Sequence, residues 1–507
     1  MHGDFSRRTF QAADHFAAVL FQQGRVQLDA DFNENAEILL HYLRTVVEDL
    51  VGRAAAPKDH AGFDVRAAPP VVGTPADLLI GPGRMYVDGL LVENEIGDPD
   101  VATTWTSYWN QPDGYLDPSV TEDQLPEGIF VAYLRVWEQL VTALQRPRIR
   151  EVALGDPGPD TATRARVVWQ LAPLPLPGVP GAELDDPAKR AAALDEALRD
   201  RLAALHPDPG LLTARARRPV YSDADPCQLP PEARFRGPEN QLYRVEVHSG
   251  GPAWPATTLT ASGRGRQKTL AGATFRWSRE NGSVVFLITS VSGNQVQLAT
   301  LGRDGKLGLE IGDWVELTDD AVAARVADDR DLTTVQEMPA LLEVTAIDPD
   351  TRTVTLSGRT PGDCGMHQSR HPMLRRWDHR APTRYESDSG TSKQAIAVDG
   401  ALPIIENVWI ALEDGVEIMF TAPEPPPPGE SVGPNEVTAT YRPGDHWIFP
   451  ARTVTGDVEW PHDADGPIPR LPDGVRYHYA ALALDLGQGP PTDRRRVFDR
   501  LPHVPDA

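Results

Sequence analysis

Residues 283–300, Ser-Val-Val-Phe-Leu-Ile-Thr-Ser-Val-Ser-Gly-Asn-Gln-Val-Gln-Leu-Ala-Thr, contain two strand-like runs separated by a short turn. Val, Ile, Thr and Phe suit a pleated surface, and the second run alternates Gln295 and Gln297 with Val296 and Leu298, the two-residue period of a strand with one buried face. The same texture recurs at 241–248, 274–277, 313–317, 341–347 and 353–356, so 221–360 is expected to form a central barrel or sandwich.

Further out, strands are expected at 130–137, 165–171, 437–441, 445–449 and 477–486, and 78–93 reads as a small β meander. Asp185-Asp186-Pro187 combines a capping residue with a proline at the first helical position, which predicts a helix to about residue 205. The proline run 423–429 reads as an exposed connection before it reads as a polyproline ligand. The expected division is a docking segment with its helix (1–56), a first β module with a helical insertion near 185–206 (57–220), the central barrel or sandwich (221–360), and a C-terminal β module with a polar tail (361–507). The fold class is mainly β with minor α.

One stretch breaks this pattern. Between residues 28 and 50 the apolar positions Leu28, Phe32, Ala36, Leu39, Leu40, Leu43, Val47 and Leu50 recur at spacings of three and four, which predicts an amphipathic helix. Asp29 and Asp31 complement the positive end of its dipole, and Gly52 follows as a stop. Asn33, Glu34, Glu37, His41, Arg44 and Glu48 then form the opposite, solvated face. Phe5, Phe10, Phe16 and Phe21 precede the helix among polar residues and need a surface to bury against. With Gln23, Arg25, Leu28, Phe32, Leu39, Leu40, Leu43 and Leu50 they make up the expected partner interface.

The 507 residues carry a formal charge of -24, from 49 basic against 73 acidic residues. Long-range repulsion therefore opposes nucleic acid and anionic lipid as partners. With 40% hydrophobic and 24% charged residues the chain should fold, and 48 prolines and 42 glycines favour short strands joined by many turns. Cys227 and Cys364 are too few to staple it, which fits synthesis in a reducing cytoplasm. No signal-peptide core and no long apolar run is present, so export is expected only as part of a cytoplasmic or released particle.

Chemical motifs are sparse. Cys364, His367 and His371, with His379 further on, have a spacing that could ligate zinc, but a structural site needs four ligands, and a polar loop explains the residues as well. Asp29, Asp31 and Glu34 could hold calcium, yet helix-start electrostatics account for them. Residues 277–283, with Asn281-Gly282 at the tip, read as a hairpin turn first and a sugar-binding surface second. No hydrolase, protease, nucleotide or redox motif occurs, so no enzyme activity and no cofactor is expected.

Gly3-Asp4-Phe5-Ser6-Arg7 and Gln22-Gln23-Gly24-Arg25-Val26-Gln27-Leu28-Asp29-Ala30-Asp31-Phe32-Asn33-Glu34 resemble the signature of an uncharacterised family encoded near phage-tail-like gene clusters, extracellular contractile injection systems among them. Residues 237–248, 275–283 and 441–447 are similar to further blocks of that family, with Phe32 standing where it usually has Trp. The resemblance implies a baseplate, tail accessory or fibre-attachment role in a tail-like particle, among other subunits or further copies of the chain. A carbohydrate-binding or carbohydrate-cleaving tail protein, with a surface glycan as partner, is the competing expectation. Such an enzyme would hold two carboxylates about 5 to 9 Å apart in an aromatic-lined groove.

Overall fold

A computed structural model describes residues 2–155, 160–176, 196–197, 200, 209–217, 235–255, 270–325, 335–360, 362–387, 390–394, 396–423, 439–485 and 489–499. The chain is mainly β: a helix near the N-terminus is followed by antiparallel sheets, one of them closed. The expected helix near 185–206 lies almost wholly outside the described residues, as do most of the proline run and residues 437–438.

Contacts divide the chain into two units, and neither is continuous in sequence, unlike the four consecutive parts expected. The first unit comprises Met1–Arg8, Thr142–Thr163 and Asp208–Val475. Its barrel closes in the order Val285–Ser292, Gln295–Leu298, Thr353–Leu356, Leu342–Asp348, Trp314–Thr318 and Met373–Trp377. Phe286, Ile288, Val296, Leu298, Val315, Val344, Val354 and Leu374 fill its interior, as the alternation in residues 295–298 requires.

The strands Gln241–Val247 and Thr274–Ser278, expected in the central module, join a different sheet. There they pair with each other, Gln241–Val247 also with His446–Arg452 and Thr274–Ser278 also with Leu402–Pro403. A second sheet, in the order Gly390–Gln394, Thr383–Ser387, Trp409–Ala411, Val416–Thr421 and Leu211–Ala216, shares its core. Val245, Phe275, Trp447 and Phe449 pack there with Leu212, Ile410, Ile418 and Phe420, and the Phe275 and Phe420 rings lie 5.1 Å apart. Asn281 and Gly282 do take the positive φ values of a tight turn, 48° and 64°. They do not close a hairpin, however, because Thr274–Ser278 stays in its sheet while the next strand enters the barrel.

The second unit comprises Thr9–Val141, Arg164–Pro207 and Arg476–Ala507. Its longest ladder pairs Phe130–Val141 with Arg164–Pro175, and His478–Asp485 lies along the other side of Phe130–Val141. The stretch 78–93 is only partly a meander. Gly83–Val87 and Leu90–Asn94 form a hairpin, while Leu78–Ile80 pairs with Val65–Ala67 and Thr106–Ser107. Within the expected tail, Val497–Phe498 adds a parallel strand beside Ala54–Pro57.

The helix, here α1, spans Asp29–Val51. At its start the Leu28 N–H donates to Asp31 Oδ2 at 3.4 Å. At its end Gly52, with φ +82°, donates its N–H to the Glu48 carbonyl at 2.7 Å. Among the described residues no helix is long and apolar enough to cross a membrane.

Candidate functional site

The apolar stripe of α1 does not face its own unit. Phe32, Leu39, Leu43 and Leu50 are 53%, 60%, 57% and 66% exposed, while Leu28 and Leu40 are also open to solvent. Ala30 and Ile38, on the other side, are the buried apolar residues of the helix. Of the polar residues expected to be solvated, Glu34, Glu37, Arg44 and Glu48 are half-buried, while Asn33 and His41 stay exposed. Arg44 donates twice to Glu138, at 2.7 and 3.1 Å, and Glu34 accepts from the Thr9 hydroxyl at 2.5 Å. Gly89, at φ +75°, lies so close to the helix that an added Cβ would fall 2.4 Å from the Arg44 carbonyl oxygen.

Residues ahead of α1 extend the open surface. Phe16, Leu20, Phe21 and Val26 are exposed, as are Gln23 and Arg25. Phe21 and Phe32 touch with their rings 5.0 Å apart, and Phe10, half-buried, lies 5.7 Å from His41. Monomers seldom leave so many large apolar side chains together in water. Phe5, half-buried like Phe10, differs from the other expected interface residues in belonging to the first unit with Met1–Arg8.

The N-terminal residues of the first unit meet a buried charge cluster that motif reading missed. Glu246, on Gln241–Val247, accepts from Arg244 Nε at 2.5 Å, from Arg276 Nη2 at 2.6 Å and from His2 Nε2 at 2.9 Å. Arg276 also pairs with Glu316 at 3.0 Å and lies over the Trp377 ring at 4.2 Å. The Gly3 carbonyl accepts from Asn281 Nδ2 at 2.9 Å, and the Gly3 N–H donates to the Asn281 carbonyl at 3.3 Å. The legible signal was Arg244-x-Glu246-x-His248: alternate charged positions in a strand whose other face, Tyr243, Val245 and Val247, is apolar.

Burial works against ionising Glu246, but Arg244, His2 and Arg276 overcome it and hold its carboxyl well below the usual range. Burial, with Arg244 and Arg375 adding to it, holds His2 well below the ordinary histidine value. His2 is therefore a neutral donor to Glu246 rather than half of an ion pair at neutral pH, and it keeps 27% of its side chain exposed. Elsewhere in the unit burial lowers His248 to about 4 and His379 to about 3, and raises Glu413 and Asp445 to about 7. The guanidiniums and carboxylates of the cluster pair mostly with one another, Arg276 Nε excepted, which suits clamping a segment better than turning over a substrate.

The zinc candidates go to different neighbours. Cys364 is buried in the barrel core, where burial pushes its thiol up to about 12. His367 contacts Asp363 at 3.1 Å, His371 contacts Asp320 at 2.7 Å, and His379 bonds the Gly400 carbonyl at 2.8 Å while stacking on Trp314. Among the described residues no three His, Cys, Asp or Glu side chains are placed to share a metal ion, and Cys227 is not among those residues. Asp31 is used by the Leu28 N–H and Glu34 by Thr9.

Surfaces suited to a sugar are modest. A cleft of about 200 Å³ in the second unit is lined by Pro57, Lys58, Asp59, His60, Arg84, Tyr86, Phe498 and Asp499. Lys58 already pairs with Asp499 at 2.8 Å. Trp409 carries the Arg215 guanidinium on its ring at 3.6 Å, and Trp105 likewise carries Arg66 at 4.3 Å.

A model described as a family of unknown function (DUF6519) matches residues 1–209 and 185–489. No curated protein matches the chain, and no solved structure does.

Proposed function

This chain belongs to the DUF6519 family, whose function is unknown, and we propose for it the role of a non-enzymatic structural subunit that docks through α1 and the residues leading into it. The carrying observation is the exposed row Phe32, Leu39, Leu43 and Leu50 on a helix held in place from its other side. Each such side chain, 53% to 66% exposed, supplies about 1 to 2 kcal/mol when a partner covers it, before the costs of ordering. Solvent leaves that free energy unused.

The particle we propose is a phage-tail-like contractile injection system, with the chain as baseplate, tail accessory or fibre-attachment part. This finer reading rests on the resemblance of residues 3–7 and 22–34, and the apolar face supports only the docking. In the test, the full-length chain and its Leu39→Glu/Leu43→Glu variant are mixed with tail-particle components from the same gene cluster and sedimented. We expect the native chain to travel with the particle and the variant to stay at the top of the gradient. Equal cosedimentation of both would overturn docking through α1. Failure of both to bind would remove the particle reading and turn attention to glycans.

A further inference from the structure

We infer that the surface covering α1 is the α1 helix of a second copy of this chain, packed against it as a short coiled coil. The inference rests on the docking reading and names its partner. Phe32, Ala36, Leu39, Leu43, Val46 and Leu50 follow one another at intervals of 4, 3, 4, 3 and 4 residues. That is the heptad spacing of a helix seated against a helix, with Ala36, Leu43 and Leu50 at one core position and Phe32, Leu39 and Val46 at the other. The seam is about 28 Å long at 1.5 Å per residue.

Charge placement argues that the partner is the same sequence. Residues beside the seam set partner choice in a coiled coil, usually through opposite charges. Here they are Asn33, Leu40 and Val47 on one flank and Leu28, Asn35, Tyr42 and Asp49 on the other. A different, oppositely charged helix finds nothing there to recognise except Asp49. Two copies of a chain with a net charge of -24, in contrast, meet across this strip with almost no like charges facing each other. Glu34, Glu37, Arg44 and Glu48 lie away from the seam, where Arg44 holds Glu138 and Glu34 holds Thr9. Phe16, Leu20 and Phe21 are free to widen the apolar contact.

Single cysteines in the full-length chain test the pairing. Leu39→Cys and Leu43→Cys, alone and mixed, are oxidised at micromolar protein and run on non-reducing gels, with the native chain as blank. Disulfide-linked dimers from either variant alone indicate parallel helices, and dimers favoured in the mixture indicate antiparallel ones. Both results support the pairing. Thr45→Cys, exposed on the other side of the helix, should give none, and dimers from it at the same rate would overturn the proposal. Mass photometry of the native chain and of Leu39→Glu/Leu43→Glu supplies a second readout. We expect the double substitution to weaken self-association by at least about 100-fold, the loss of two buried leucines. If the native chain stays monomeric up to 50 μM but still joins the particle, self-pairing is wrong and docking stands. A monomer that also fails to join the particle removes both.

Discussion

Residues 2–8 and α1 stand close together in sequence but are held in place by opposite means. The first segment carries a histidine, an aspartate and two arginines, and it anchors through His2 and Gly3 to a buried network of Glu246, Arg244, Arg276 and Asn281. The helix carries the densest leucine row of the N-terminal region, yet it is fixed by Arg44, Glu34 and Ile38 and leaves that row in water. A buried charge network contributes little net stability but penalises any arrangement that leaves a charge unpaired. An exposed apolar row favours whatever covers it. One region therefore specifies the chain's own fold and the other leaves an apolar surface open.

The largest effect expected from breaking this contrast is at Glu246. Glu246→Ala strands the buried Arg244 guanidinium and leaves buried Arg276 with Glu316 as its carboxylate partner, and should destabilise the first unit by about 3 to 5 kcal/mol. Urea unfolding followed by tryptophan fluorescence reads this through Trp277, Trp377 and Trp447. A change under about 1 kcal/mol would mean that water or another cation fills the gap, and the network would not be a clamp.

Next comes pH. A histidine kept neutral by burial binds fewer protons folded than unfolded, so its contribution is complete above the unfolded value of about 6.5 and is lost as pH falls towards the folded value. For His379, lowered to about 3, each pH unit below 6.5 should cost about 1.4 kcal/mol. His379→Asn should flatten the stability profile between pH 6 and pH 4 by that amount. Asp445, raised to about 7 by burial, has the reverse sign: it favours the fold at low pH, and its contribution is lost as pH rises from about 3.8 through 7. Asp445→Asn should therefore gain stability relative to the native chain at pH 8 and not at pH 4. Profiles of both variants that run parallel to the native one would show that these sites are hydrated.

His2→Ala removes one neutral hydrogen bond to Glu246 and should cost about 1 kcal/mol. Its clearer readout is local. Trypsin should cut after Arg7 and Arg8 several times faster, because the anchor at Gly3 then relies on Asn281 alone. An unchanged cutting rate would make the histidine a passenger.

Much of this architecture was readable from local pattern. The bounds of α1, the hairpin at residues 83–94 and the barrel strands other than Met373–Trp377 follow from spacing that a few consecutive residues display. Which segments pair was not readable, because pairing is decided across the chain. Ala56 meets Val497, and the barrel closes with Met373–Trp377 rather than within the expected module. The same reason misled the reading of α1. Arg44 looked solvated until Glu138, 94 residues away, came to meet it. The charge cluster was half legible in Arg244 and Glu246, but nothing near His2 in sequence points to them.

The smallest expected effect on folding comes from the most apolar change. Leu43→Glu places a carboxylate where the native side chain is already 57% exposed, so the unfolding midpoint of the monomer should move by less than about 0.5 kcal/mol. In a buried leucine the same change would unfold the unit, since an unpaired charge would lose its water. A thermal melt at low protein concentration therefore separates two accounts of the row. If Leu43→Glu melts with the native chain, the row is not part of the monomer's core and its leucines serve contacts outside it. If it melts many degrees lower, α1 turns inward in solution, and the contrast with residues 2–8 disappears.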